Sequence, residues 1–248
     1  MSPLRLPWLD DAPEAPFPDP STALQEPDGL LAMGGDLHPR RLLAAYRAGI
    51  FPWFSDGEPP LWWSPDPRTV FRTGSVATSR RFRRGLRSCE WTLRADTAFE
   101  SVIDRCAGIP RHGQRGTWIT ATMRDAYVDL HRLGHAHSVE AWDGDVLVGG
   151  IYGVAIGRMF FGESMFSQRT GGSKVAIAGL AHRLVEWGWP LIDAQVENPH
   201  LLSLGAERWP RTEFLDAIGR LVDLPGPEGS WTAAFGDLPA RQLARPCA

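Results

Sequence analysis

"HSVEAWDGDVLVGGIYGVAIGRMFFGESMFS", residues 137–167, is the stretch that decides the fold. Three runs rich in β-branched and aromatic residues are separated by turn signals at Asp143-Gly144 and Gly157. That spacing predicts three consecutive antiparallel strands. The next segment, "KVAIAGLAHRLVEW" (174–187), places Ile177, Leu180, Ala181 and Leu184 on one helical face. Ser173 is the expected cap and Gly188 the expected stop. "PLIDAQVENPH" (190–200) then reads as one more short strand. Three strands, a helix and a strand imply an α+β arrangement around a mixed sheet.

Upstream of this unit, "SRRFRRGLR" (79–87) puts Arg80, Arg83, Arg84 and Arg87 on one face of a helix. Phe82 and Leu86 occupy another face. In a chain of net charge −3, such a cluster is either a phosphate-binding patch or a solvated helix face. Residues 1–70 differ in character, being rich in Pro, Gly and Trp, and are expected to form a small N-terminal domain ahead of a larger one, 71–248. Their one good helix, "PRRLLAAYRAG", is bracketed by Pro39 and Gly49. "IFPWFSDGEPPLWWSPDP" (50–67) is expected to be irregular and, being so apolar, to lie against the second domain or a ligand.

The bulk properties exclude several classes. A chain of 248 residues that is 43% hydrophobic can bury a large core. The opening residues lack the apolar core of a signal peptide, and no run approaches the length of a membrane span, so no membrane is expected. Cys89, Cys106 and Cys247 form no CxxC, which fits a reducing cytoplasm. There is no G-x-S-x-G, no P-loop and no dinucleotide-binding glycine pattern.

Two strands carry polar residues that a buried sheet would not tolerate without a reason. Phe161, Glu163 and Met165 share parity and are expected on one face; a lone carboxylate there needs a cation, a wet cleft or a ligand. Asp193 and Gln195 are likewise two residues apart and are expected to point together. If both strands line one cleft, it holds two acids, an amide and large apolar groups, and suits a cation beside an apolar moiety. Lys174, the only lysine, lies at a helix start, where it is either incidental or a partner for an anion. His135 and His137 have the alternate spacing of metal ligands but lack a third, so no metal is expected.

Eight motifs then appear in order: "LLAMGGDL", "AYRAGIFPWFS", "LWWSPDPR", "GTWIT", "LGHAHSVEAW", "GGIYGVAIG", "FGESMFS" and "LIDAQVEN". Together they resemble the leucyl/phenylalanyl-tRNA–protein transferase family, over about residues 24–220. The resemblance implies a cytoplasmic, cofactor-free enzyme. It would move Leu or Phe, and less readily Met, from aminoacyl-tRNA to proteins beginning with Arg or Lys, marking them for N-end rule degradation. It also implies a small N-terminal α/β domain and a larger GNAT-type acyltransferase domain. Residue by residue, it places the catalytic pair on Asp193 and Gln195 and the tRNA's terminal adenosine near Trp53 and Trp118. The side-chain pocket falls on Ile151, Phe161 and Met165, with Tyr46 also at the substrate site, and the acceptor-side carboxylate on Glu163. The tRNA acceptor stem would meet Arg80, Arg83, Arg84 and Arg87.

Since the donor ester is already activated, the expected chemistry is aminolysis. Gln195 would accept a hydrogen bond from the attacking amine, and Asp193 would polarise that amide. A monomer is expected. Two rivals remain: an acetyl-CoA-dependent acetyltransferase, for which "QRTGGS" (168–173) is a partial pyrophosphate loop, and a non-enzymatic adaptor for basic N-termini.

Overall fold

The computed structural model describes residues 6–76, 79–109 and 118–245. Its strands are β1 (Trp8–Leu9), β2 (Leu30–Gly34), β3 (Phe51–Pro52), β4 (Leu61–Trp63), β5 (Arg68–Arg72), β6 (Thr92–Ala95), β7 (Ala136–Asp143), β8 (Val146–Ile156), β9 (Met159–Ser167), β10 (Leu191–Gln195), β11 (Glu207–Trp209) and β12 (Leu238–Pro239). Its helices are α1 (Pro39–Arg47), α2 (Arg80–Leu86), α3 (Phe99–Ala107), α4 (Ala121–Arg132), α5 (Gly172–Glu186), α6 (Pro199–Ser203), α7 (Arg211–Leu221) and α8 (Thr232–Phe235). The first four strands make a small sheet in the order β1-β2-β4-β3, and the rest a second sheet in the order β11-β5-β10-β9-β8-β7-β6-β12. In the larger sheet β10 runs parallel to β9 and antiparallel to β5, so the sheet is mixed and the class is α+β.

The hairpins β7–β8 and β8–β9 form as the turn signals predict. One departure is the stretch 50–67, which contains β3 and β4 despite its prolines. Trp62 is fully buried there and donates its indole N–H to the Gly34 carbonyl at 2.9 Å, while Pro52 ends an edge strand that needs no further donor. A second departure is the start of α5. Gly171, at φ 89°, caps it, and Ser173 lies inside, exchanging hydrogen bonds with Ser167 Oγ. Here α5 presses onto β8 so closely that a Cβ on Gly149 would meet the Gly172 backbone at 2.3 Å.

The core has two faces. One apolar cluster joins the small sheet and α1 to α3, α4, α7 and one side of the large sheet. The other packs α5, Trp187, Trp189 and Trp231 against the opposite side. Between them the β9–β10 ladder ends at the pair Phe161–Asp193, and a cavity opens at that end.

Candidate active site

This cavity, about 430 Å³, is lined on one side by Phe51, Pro52, Trp53 and Trp118. Its other walls come from β8, β9, β10 and the segment leading into α6: Ile151, Glu163, Met165, Gln195 and Glu197 are among them. Phe71, Ile177, Ile192 and Leu201 give it an apolar side. Most of the residues expected at the catalytic and substrate sites meet here, but two local irregularities rearrange them.

The first is in β9. Tyr152 pairs with Ser164 and Gly153 with Gly162, so Glu163 is an extra residue in a β-bulge. Only glycine fits opposite it, because a Cβ on Gly153 would meet the Phe161 carbonyl at 2.2 Å. The bulge inverts the alternation, so Phe161 and Met165 do not share a face. Phe161 is fully buried against Tyr46, with ring centroids 5.2 Å apart, and does not line the cavity, whereas Met165 does.

The second irregularity is in β10. Asp193 pairs with Val70 and Gln195 with Thr69, which leaves Ala194 as the bulged residue. Gln195 adopts φ 58°, a left-handed conformation that costs a side-chain-bearing residue about 1–2 kcal/mol. The expectation that Asp193 and Gln195 point together fails for this reason. Asp193 is sealed in the core, where its two oxygens accept from Arg68 Nε at 2.8 Å and Nη2 at 2.7 Å. Its Oδ1 also accepts from the Gln195 backbone N–H at 2.9 Å. Asp193 therefore does not touch the Gln195 side-chain amide and cannot polarise it directly.

The residue that does touch this amide is Glu163, which accepts from Gln195 Nε2 at 2.7 Å. The Tyr46 and Tyr127 hydroxyls lie 2.7 Å and 2.9 Å from its oxygens and close to each other, and their two protons serve two of these three contacts while Glu163 is ionised, all three when it carries a proton. Burial pushes the Glu163 carboxyl up to about 7; the hydrogen bonds from the tyrosines oppose the rise and the nearby Asp193 charge adds to it. Burial, and then the Glu163 charge, hold both tyrosines well above the usual phenol range, so they remain neutral donors. With its nitrogen end tied down, Gln195 keeps its carbonyl oxygen unbonded among the described residues, at the cavity wall. Tyr46 thus supports the cleft from behind and does not line it.

A model of the leucyl/phenylalanyl-tRNA protein transferase family matches residues 70–219, and a model of that family's N-terminal domain matches residues 35–66. The leucyl/phenylalanyl-tRNA–protein transferase of Xanthomonas euvesicatoria pv. vesicatoria is 66% identical over 98% of this chain and 98% of its own length. The chain belongs to this family of transferases. A further relative of the same description, from Xylella fastidiosa, is 64% identical over 95% of this chain and 97% of its own. Among solved structures, L-PGS from Bacillus licheniformis aligns over 68% of this chain and 53% of its own at 10% identity, with a TM-score of 0.36, too slight a likeness to bear on the fold.

Outside the cavity, Arg80, Arg84 and Arg87 are exposed and Arg83 is half-buried; none of the four takes part in an ion pair among the described residues. Lys174 sits with its Nζ 4.7 Å over the Phe82 ring, joining α2 to the start of α5. In the partial pyrophosphate loop, four of the six backbone amides are engaged. The amides of Gln168 and Arg169 bond the Val148 carbonyl, that of Gly172 bonds Arg169, and that of Ser173 bonds Ser167. His137 is held by Asp96 at 2.9 Å and stacks on Trp231, and so belongs to the core. No helix among the described residues is long and apolar enough to cross a membrane.

Sequence reasoning missed Arg68 and Tyr127. Arg68 opens the apolar strand "RTVF", and a basic residue there was a signal for a buried partner. Tyr127 lies on the buried face of α4 and reads as ordinary core.

Proposed function

We propose that the cavity joins the ester of an aminoacyl-tRNA to the free α-amino group of a protein, with Leu or Phe, and less readily Met, as the transferred residue. The observation that carries this reading is the Gln195 side chain, whose nitrogen is fixed by Glu163 while its oxygen is left for a donor. An α-amine titrates near about 7.7–8.0, so a useful fraction is neutral at cellular pH. One N–H of the neutral amine donates to Gln195 Oε1, and its lone pair attacks the ester carbonyl. The new C–N bond forms, the C–O bond to the tRNA ribose breaks, and the amine proton passes to the departing hydroxyl. Holding the two reactants in line supplies much of the acceleration.

The remaining assignments follow the same geometry. Trp53 and Trp118 offer rings on which an adenine can stack, at about 1–3 kcal/mol per base. Ile151 and Met165, with Phe71 and Ile192, suit a leucyl or phenylalanyl side chain. Glu163 is the acid that favours acceptors beginning with Arg or Lys, whose products enter N-end rule degradation. Arg80, Arg83, Arg84 and Arg87 meet the phosphates of the acceptor stem. A GNAT-type domain over 71–248, a small N-terminal domain over 1–70, a monomeric state and a cytoplasmic location belong to the same reading.

Transfer of labelled leucine from charged tRNA to a peptide beginning with arginine, beside one beginning with alanine, tests it. Label on the arginine peptide is the expected result. No label on either, from folded protein and intact charged tRNA, overturns the reading; a rise in melting temperature with acetyl-CoA would then favour the acetyltransferase.

A further inference from the structure

We propose that Arg68 is a positioning residue for the transfer reaction, holding Gln195 in its left-handed conformation through Asp193. This rests on the reading of Gln195 as the group that receives the amine. Arg68 has no exposed side-chain surface, and its guanidinium grips both Asp193 oxygens side by side. It lies between two phenyl rings, 4.7 Å from the Phe51 centroid and 4.6 Å from that of Phe214. Its remaining nitrogen, Nη1, donates to the Gly49 carbonyl at 3.0 Å.

Each contact has a consequence for the cavity. Because Asp193 is sealed, its carboxylate reaches no substrate; its route to the reaction is the bond from the Gln195 backbone N–H to Oδ1. That bond stabilises the left-handed residue at the bulge, from which its side chain reaches Glu163. Phe51 opens the opposite wall two residues before Trp53, and Gly49 lies two residues before Phe51. One planar guanidinium thus ties the tryptophan side of the cavity to the glutamine side. A lysine carries a point charge on a flexible stem and cannot reproduce two parallel bonds, a third in the same plane and two ring contacts.

The test is Arg68→Lys, alone and combined with Gln195→Ala. Misplacing a reacting group by about an ångström costs on the order of a hundredfold, so kcat of Arg68→Lys should fall about tenfold to a hundredfold while both KM values stay within about twofold. In the Gln195→Ala background the same substitution should add almost nothing, because the group it positions is gone. A folded Arg68→Lys protein with kcat within about twofold of wild type overturns the inference; so does an equal loss in both backgrounds. If Gln195→Ala alone transfers normally, the reading of the site itself fails. Should Arg68→Lys not fold, the Gln195 backbone amide of the wild-type protein decides by NMR: slow hydrogen exchange supports the inference, and exchange as fast as in the neighbouring exposed residues overturns it.

Discussion

Two residues other than glycine hold a left-handed backbone among the described residues, Asp96 at φ 57° and Gln195 at φ 58°. Each stands near a glutamate that burial pushes up to about 7: Glu140 in the first case, Glu163 in the second. The two regions differ in what their polar groups face. Around Asp96 every partner is protein: it accepts from His137 Nδ1 and the amides of Ser138 and Trp231. Glu140 takes the Ser138 and Thr97 hydroxyls and the amides of Thr97 and Ala98 at the start of α3. That cluster is closed and holds β6, β7, α3 and Trp231 together. Around Gln195 the network stops one bond short, with an amide oxygen at the wall of a cavity. Backbone strain and a shifted acid are therefore not sufficient marks of a site; the open side is what separates the two.

The largest effect that sharpens this contrast is expected from Asp193→Ala. It leaves the Arg68 charge buried and unpaired, which costs about 3–5 kcal/mol. Both stability in urea and transfer rate should fall, whereas Asp96→Gly, which loses three hydrogen bonds but relaxes its φ, should lower stability by about 1–3 kcal/mol and leave kcat of the folded protein unchanged. A rate loss in Asp96→Gly beyond the unfolded fraction would erase the distinction between the regions.

Next in size is the pH dependence of Glu140. Between its ordinary value of 4.5 and about 7 the unfolded chain has lost this proton while the folded protein keeps it. Stability should thus fall as pH rises through that window and level off above it, by up to about 3 kcal/mol for this group. Glu140→Gln should roughly halve the fall, since Glu163 contributes in the same direction; urea midpoints from pH about 5 to 8 would check it. An unchanged slope would show that Glu140 does not titrate in that window.

The smallest effect concerns selectivity. Glu163→Gln keeps the shape of the site and removes its charge, so the preference for an arginine over an alanine acceptor should drop about tenfold. Competition between the two peptides reads this directly, and an intact preference would move acceptor recognition elsewhere, to Glu197 at the cavity rim.

The fold was more legible than the site. The strands of 136–167 and the stops at Gly49 and Gly188 follow from period-2 patterning and from glycine at positive φ, both local signals. Asp193, Gln195 and Glu163 stood out because polar groups in apolar strands demand partners. Strict alternation then misplaced them: the extra residue at Glu163 is marked only by the strand-interior glycines Gly153 and Gly162, that at Ala194 leaves no comparable mark, and one bulge inverts every face beyond it. So Phe161 was expected in a cavity that it does not line, and Asp193 beside an amide that it supports only through the backbone. Arg68 signalled a buried partner but not which one, because its mate is 125 residues away.

The most direct measurement is the single-turnover transfer rate of Gln195→Gly beside its unfolding free energy. Glycine occupies φ 58° without strain, which offsets part of the lost bond to Glu163, so the fold should stay within about 2 kcal/mol of wild type. If the Gln195 oxygen receives the amine, the rate should fall on the order of a hundredfold or more in that intact protein. A stable Gln195→Gly protein that transfers at the wild-type rate would contradict the claim that this bulge carries the chemistry.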